Sequence, residues 1–149
     1  MEFFTDRDVG GKKFPQILRD AKLTVHAHRD HFPPDAPDTA WLPEVAARGW
    51  IILTRDKNII RTPLERDAVF RSGAAFFALT GGEVPTAELA QNFVNTLAQV
   101  ERFIARHPRP FIAKVFRPNP ATEIARGTPG RVEMVMTLSQ WEELKRRGY

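Results

Sequence analysis

The stretch Trp50-Ile51-Ile52-Leu53-Thr54-Arg55-Asp56 is an unbroken apolar run that ends in a threonine and is followed two residues later by an acid. The start of the sequence, Glu2-Phe3-Phe4-Thr5-Asp6, has a similar order. Continuous apolar runs are typical of buried parallel strands, and open α/β sheets carry their sites just beyond the carboxyl ends of the strands. The two runs therefore predict parallel strands whose aspartates meet at one edge of a sheet.

The rest of the sequence alternates between strand-like and helix-like segments. Strands are predicted at residues 2–5, 23–28, 50–53, 74–79, 110–116 and 131–137, and helices at 12–22, 38–48, 64–71 and 86–107. Residues 29–37 contain three prolines and are predicted to be a loop. Ser139-Gln140-Trp141-Glu142 has the pattern of a capping box that begins a last helix. This alternation indicates a three-layer α/β/α sandwich with a mostly parallel sheet.

Composition limits the classes of protein and site. With 149 residues, 42% of them hydrophobic, residues 1–149 are expected to form a single domain with a sizeable core. The absence of cysteine excludes disulfides, zinc-thiolate sites and cysteine nucleophiles. Neither a signal peptide nor a membrane span is recognised, so a soluble, cytoplasmic protein is expected. The net charge of +4 is weak support for a polyanionic partner.

Four aspartates are the candidate site. Asp6 and Asp56 follow the two strands, Asp38 opens the helix between them, and Asp8 lies two residues beyond Asp6. Clustered carboxylates without cysteine favour a hard cation such as Mg²⁺ or Mn²⁺, which supports hydrolysis of phosphodiester bonds. Each aspartate alone also has a structural explanation, because Asp is common in caps and turns and Asp38 after Pro37 fits a helix N-cap.

Cations lie close to these acids in the sequence. They either contact a phosphate backbone or merely pair with the aspartates, and the sequence leaves both explanations open. The candidate substrate-binding residues are Arg7, Lys12, Lys13, Arg55 and Lys57.

Three histidines, His26, His28 and His31, have a spacing that suggests a transition-metal site. No carboxylate spacing accompanies them, and a solvated strand edge is the preferred interpretation. The tryptophans are expected to pack against the sheet.

The order Asp6-Arg7-Asp8 after a strand also matches the opening motif of haloacid-dehalogenase-type phosphatases. In that family a further acidic pair follows a later strand, and residues 76–82 contain none. A phosphatase would therefore lack its metal site.

In Phe4-Thr5-Asp6, in Asp38 and in residues 52–57, the chain resembles PIN-like domains, particularly VapC-like toxins. The resemblance covers residues 2–60, and residues 117–149 lie outside it as a C-terminal extension. It implies a Mg²⁺- or Mn²⁺-dependent endoribonuclease, often a dimeric toxin of a type II toxin–antitoxin pair that is silenced by a small antitoxin protein. Asp6, Asp38 and Asp56 carry over as catalytic metal ligands.

The chain departs from the family pattern at one position. Where relatives have a further Asp, this sequence has Asn58, so the role of a fourth ligand passes to Asp8, Glu65 or Asp67, or is absent. That departure keeps an alternative open: a degenerate PIN-like module that binds RNA or a protein without cutting.

Overall fold

The structure is a computed structural model, and it describes residues 1–9, 11–55, 62–81 and 84–149. Within these residues six strands form one sheet in the order β2-β1-β3-β4-β5-β6. All neighbouring pairs are parallel except β5 and β6, which are antiparallel. The strands are β1 (Glu2–Thr5), β2 (Thr24–Ala27), β3 (Ile51–Thr54), β4 (Ala75–Leu79), β5 (Phe111–Phe116) and β6 (Arg131–Thr137). The predicted mostly parallel sheet is therefore confirmed.

Helices cover both faces of this sheet. They are α1 (Lys13–Asp20), α2 (Asp38–Ala47), α3 (Pro63–Ser72), α4 (Thr86–Asn95), α5 (Leu97–Arg106) and α6 (Leu138–Arg146). Apolar side chains of α1, α4 and α5 pack on one face, and those of α2 and α3 pack on the other, where Trp141 of α6 also lies. The three-layer α/β/α arrangement is confirmed. Among the described helices, none has the length and apolar character needed to cross a membrane.

The core explains why the strand runs are continuously apolar. Successive side chains of a strand point to opposite faces, so a strand covered on both sides needs apolar residues at every position. In β1, Phe3 packs in the cluster under α1 and α4, while Phe4 packs in the cluster under α2. Both are at most 1% exposed.

The predicted helix at 86–107 is wrong in one respect: it is two helices, α4 and α5, that meet at Thr96. The Thr96 side chain is fully buried, and its hydroxyl donates to the carbonyl of Asn92 at 2.6 Å and accepts from the backbone N–H of Gly130 at 2.9 Å. Such a local side-chain bond to the backbone competes with regular helix geometry. The apolar periodicity continues through the break, which is why the pattern alone does not reveal it.

The capping box of α6 begins two residues earlier than predicted. The cap is Thr137, whose hydroxyl accepts from Gln140 N–H at 3.2 Å, while the Gln140 side chain accepts from Thr137 N–H at 2.9 Å. A β-strand conformation at Thr137 (ψ 167°) leads directly from β6 into the helix, so Thr137 rather than Ser139 occupies the cap position.

The register of the sheet positions the candidate site. Thr5 is level with Leu53, and the N–H of Asp6 donates to the Leu53 carbonyl at 3.0 Å. Asp6 and Arg55 therefore leave adjacent strands at the same edge of the sheet, called here the carboxyl edge.

Candidate active site

Asp6 lies on the carboxyl edge, after the second of the six strands. It follows β1, which has β2 on one side and β3 on the other. The residue is 7% exposed, and its carboxylate Oδ1 accepts from the backbone N–H of Arg7 at 2.7 Å. A buried carboxylate with so few donors is poorly solvated, which makes it a candidate for a chemical role.

The hydroxyl of Thr54, at the end of β3, lies between two carboxylates. It is 3.3 Å from Asp6 Oδ2 and 3.1 Å from both oxygens of Asp8. A hydroxyl has one proton to donate, so it satisfies only one of these acceptors at a time. The geometry brings the carboxylates of Asp6 and Asp8 together at one hydroxyl.

Electrostatics perturb the proton affinity of Asp6. Burial, followed by the nearby charges of Asp8 and Asp38, raises the pKa of Asp6 from 3.8 to about 7, although the Arg7 backbone hydrogen bond and the Arg7 charge oppose the change. Burial and the neighbouring negative charges both disfavour the ionised form of Asp6. A divalent cation would remove the penalty, because it replaces lost solvation and screens the repulsion.

Asp38 is the first residue of α2, and the N-cap is Pro37. The interpretation of Asp38 as the N-cap is therefore wrong. Its carboxylate accepts from the indole N–H of Trp41 at 3.1 Å, and its side chain is only 12% exposed. The Asp38 side chain therefore contacts Trp41 and, at 3.8 Å, Arg7, and it does not cap the helix.

Arg7 joins β1 to the loop before α2. One guanidinium nitrogen donates to the carbonyls of Pro34 and, at 3.0 Å, Ala36, while the other lies 3.8 Å from Asp38 Oδ1. These contacts hold the loop and the start of α2 beside Asp6. They favour a positioning role for Arg7, since its donors point to the loop carbonyls.

His28 lies behind the acids, at the end of β2. It is 2% exposed among the rings of Phe4, Phe32 and Trp41, and neither ring nitrogen has a hydrogen-bond partner among the residues that the structure describes. Burial, followed by the charge of Arg7, lowers the pKa of His28, against the opposing charge of Asp38. A neutral imidazole here extends the apolar wall of the site.

The other predicted residues are distributed as follows. Asp56, Lys57 and Asn58 lie outside the described residues. Lys12 and Lys13 are exposed at the start of α1, and Arg55 follows β3, with its N–H 3.4 Å from Asp8 Oδ1 and its guanidinium 3.3 Å from the Val84 carbonyl. The predicted basic residues that the structure describes therefore lie on the carboxyl edge or beside it.

Two alternatives for a fourth ligand differ in their positions. Glu65 lies in the first turn of α3. Asp67, in contrast, accepts from the Trp141 indole at 2.7 Å and from Lys145 Nζ at 2.8 Å. Burial alone would raise the pKa of Asp67, but these hydrogen bonds and the Lys145 and Arg71 charges outweigh it and lower the pKa. Asp67 thus holds α6 against α3.

The donor set fits a hard divalent cation. Within residues 1–9, 11–55, 62–81 and 84–149, no three His, Asp or Glu side chains form a group able to hold a metal ion alone. Asp6 and Asp8 nevertheless share one hydroxyl and repel each other, and Mg²⁺ uses only one or two protein carboxylates and keeps several waters. This pair satisfies that requirement with oxygen ligands alone.

The histidines do not form a metal site in the described chain. His26 stacks on Trp50 with ring centroids 3.7 Å apart and pairs with Glu2 at 3.1 Å, and His31 lies against the same ring. The expected solvated strand edge fits His31, which is exposed, but it is wrong for His28, which is 2% exposed, and His26 is partly buried.

Sequence reasoning missed two contributors to the site, Thr54 and His28. The available signal for Thr54 was a repeated order in the sequence: a threonine ends both β1 and β3, and an aspartate follows it within two residues. No sequence signal distinguishes the buried His28 from the partly buried His26 and the exposed His31.

Comparison with known proteins adds two findings. Residues 1–81 match a family described as PIN like domain. Over 116 residues the chain is 34% identical to a protein of Mycobacterium tuberculosis provisionally named ribonuclease VapC45, and the alignment covers 75% of this chain and 83% of that protein. No solved structure matches the chain significantly.

Proposed function

The chain belongs to the PIN-like domain family, and we propose that it is a metal-dependent endoribonuclease acting as the toxin of a type II toxin–antitoxin pair. The observation that carries the proposal is the convergence of Asp6 and Asp8 on the Thr54 hydroxyl, beside Asp38, at the carboxyl edge of a parallel sheet. The similarity to a ribonuclease supplies the substrate class. The phosphatase alternative is dropped, because the family match is to PIN-like domains.

In this proposal the ion is Mg²⁺ or Mn²⁺; Asp6 and Asp8 bind it directly, and Asp38 and Asp56 complete the site as ligands or through the waters of the ion. When bound, such an ion lowers the pKa of a coordinated water and neutralises charge that develops on the phosphodiester. Thr54 orients Asp6 and Asp8, and Arg7 fixes the loop beside Asp38. His28 and its aromatic neighbours exclude water from the inner side of the acids.

RNA approaches the acids along basic residues at and beside the carboxyl edge. Lys12, Lys13, Arg55 and Lys57 contact phosphates, while Arg7 acts through the loop. Cytoplasmic RNA is the substrate, and a small antitoxin protein is the partner that silences the toxin. A homodimer is the expected assembly.

The test is cleavage of a mixed RNA pool by purified protein in Mg²⁺, Mn²⁺ or EDTA. Asp6→Asn is expected to lower cleavage at least about 100-fold, because loss of a direct ligand should exceed the effect of losing an outer partner. Asp20→Asn is the matched control: Asp20 is exposed at the end of α1, close to the opposite edge of the sheet. Full cleavage by the Asp6→Asn protein would refute the assignment.

A second candidate, an RNA-binding module without catalysis, is favoured by one observation: the described residues contain no complete three-ligand group. This candidate predicts RNA binding that is indifferent to EDTA and no cleavage by the parent protein. Growth arrest on expression in bacteria, abolished by Asp6→Asn, would support the toxin instead.

A further inference from the structure

Arg117 lies at the carboxyl edge, three strands away from Asp6. It directly follows β5, and the order β1-β3-β4-β5 separates the two positions. Adjacent strands are spaced by about 4.8 Å, so the strand ends are about 14 Å apart across the sheet. The family match ends at residue 81, and Arg117 also lies outside the sequence pattern that defined the candidate acids.

The backbone before Arg117 is held firmly. The Val115 carbonyl accepts from the N–H and the hydroxyl of Thr80, at 3.0 and 3.1 Å. The Phe116 carbonyl accepts from the Asn92 side chain at 3.3 Å. A side chain that starts from such a fixed backbone is well suited to position a ligand.

The side chain of Arg117 leans from β5 across the end of β4. A Cβ atom placed on Gly81 would lie 3.5 Å from Arg117 Cδ and 3.8 Å from its Nη1. Since β4 lies between β5 and β3, this contact places the Arg117 side chain on the side of β5 that faces β3 and β1. Gly81 has a φ of +109°, a backbone conformation that residues with a side chain rarely adopt.

Two arginines therefore lie on either side of Gly81 and Val84, which are joined by a hydrogen bond from the Val84 N–H to the Gly81 carbonyl at 2.8 Å. Arg55 donates to the Val84 carbonyl at 3.3 Å on the side of β3, and Arg117 packs over Gly81 on the side of β5. Arg117 is exposed, and among residues that the structure describes no carboxylate lies within ion-pair distance of it. Arg131, which is level with Phe116 at the start of β6, is instead paired with Glu133 at 2.9 Å.

We infer that Arg117 binds a phosphate of the RNA at a nucleotide next to the cleavage site, so that the strand runs along the carboxyl edge from β1 toward β5. This inference rests on the proposed ribonuclease function. Arginine recognises phosphate through paired N–H donors, and a guanidinium two to three strand spacings from Asp6 cannot reach the phosphate held there. It therefore contacts a neighbouring one. Arg117 supplies substrate affinity and direction, and no chemistry.

The first measurement is binding of a labelled single-stranded RNA in EDTA, which separates binding from cleavage. Arg117→Ala is expected to weaken binding about fivefold and to lower the slope of log K against log salt by about 0.7, as expected for one lost contact to a single strand. Arg106→Ala is the matched control, because Arg106 is exposed at the end of α5, toward the opposite edge of the sheet. Arg117→Lys keeps the charge and is expected to restore most of the salt slope.

The second measurement compares cleavage of a long RNA and a dinucleotide in Mg²⁺. Arg117→Ala is expected to raise KM for the long RNA without lowering kcat, and to leave dinucleotide cleavage unchanged, because the dinucleotide does not reach β5. An equal loss on both substrates would assign Arg117 a structural role and overturn the inference. If Arg117→Ala had the same RNA affinity and the same KM as the control Arg106→Ala, the inference about Arg117 would also be overturned. The proposed ribonuclease function would still stand in that case, provided that the parent protein cleaves RNA. If the parent neither binds nor cleaves RNA, both proposals fall.

Discussion

Replacing Asp6 by asparagine is expected to stabilise the metal-free protein while abolishing its activity. The folded pKa of Asp6, about 7, exceeds its ordinary value of 3.8. The folded state therefore binds this proton more tightly than the unfolded state, and stability falls as the pH rises from about 4 to about 7. Asparagine has nearly the same shape, retains an oxygen for the Arg7 N–H and carries no charge to repel Asp8.

The magnitude follows from the two pKa values. At full ionisation the penalty is about 4 kcal/mol, since each pH unit between the pKa values corresponds to about 1.4 kcal/mol. Part of this penalty is already present at pH 5, because the Asp6 carboxyl of the unfolded protein is mostly ionised at that pH. Between pH 5 and pH 8 the stability of the Asp6→Asn protein relative to the parent should therefore grow by about 2.5 kcal/mol.

Urea denaturation of both proteins in EDTA at pH 5 and pH 8 measures this difference. Asp20→Asn makes the same charge change at an exposed site, and its difference from the parent should stay within about 0.5 kcal/mol at both pH values. Added Mg²⁺ should stabilise the parent more than Asp6→Asn, because a ligand stabilises the state that binds it. A difference between parent and Asp6→Asn that is flat with pH would refute the reasoning.

Three further outcomes are expected. Thr54→Val should lower cleavage about tenfold, because it removes the hydroxyl that contacts both Asp6 and Asp8. Thr54→Ser keeps that hydroxyl and should cleave RNA nearly as fast as the parent. Equal activity of the two variants would contradict this role of Thr54. Asp67→Asn should lower the free energy of unfolding by about 1–2 kcal/mol at pH 7 in urea denaturation, since it breaks a half-buried pair with Lys145. Because the folded pKa of Asp67 is lowered, that contribution is present above about pH 4 and is lost in more acidic solution, where parent and variant should converge. Gly130→Ala should lower the free energy of unfolding by more than about 3 kcal/mol, because a Cβ there would lie 1.7 Å from the Phe116 carbonyl oxygen. The loss is measured as a fall in Tm. An unchanged Tm would show that the backbone at Gly130 moves without penalty.

The sequence predicts the sheet and helix layers well, because apolar periodicity reports local geometry directly. The runs at β1 and β3 gave correct strands, and the helix that begins at Asp38 appears where the pattern placed it. The break at Thr96 and the cap at Thr137 were missed. Both depend on hydrogen bonds that apolar periodicity does not report, and at Thr96 one partner, Gly130, is distant in the sequence.

The candidate site was predictable only in part. Strand ends and turn chemistry bring Asp6 and Asp8 to the carboxyl edge, and parallel pairing explains why Thr54 meets them. The roles of Arg7 and Asp67 could not be read from the sequence. Both depend on long-range partners: the loop carbonyls for Arg7, and the last helix for Asp67.

The tripeptide Asp6-Arg7-Asp8 has two kinds of contact at once, with the acids on Thr54 and the arginine on the loop before α2. Thermodynamic linkage makes these contacts reciprocal: if ion binding by the acids tightens the Arg7 contacts with the loop, tightening those contacts raises ion affinity by the same factor. A partner protein that pulled the Pro34 and Ala36 carbonyls away from Arg7 would then release the ion without touching it. The loop is thus a place where inhibition can act from outside the acidic site.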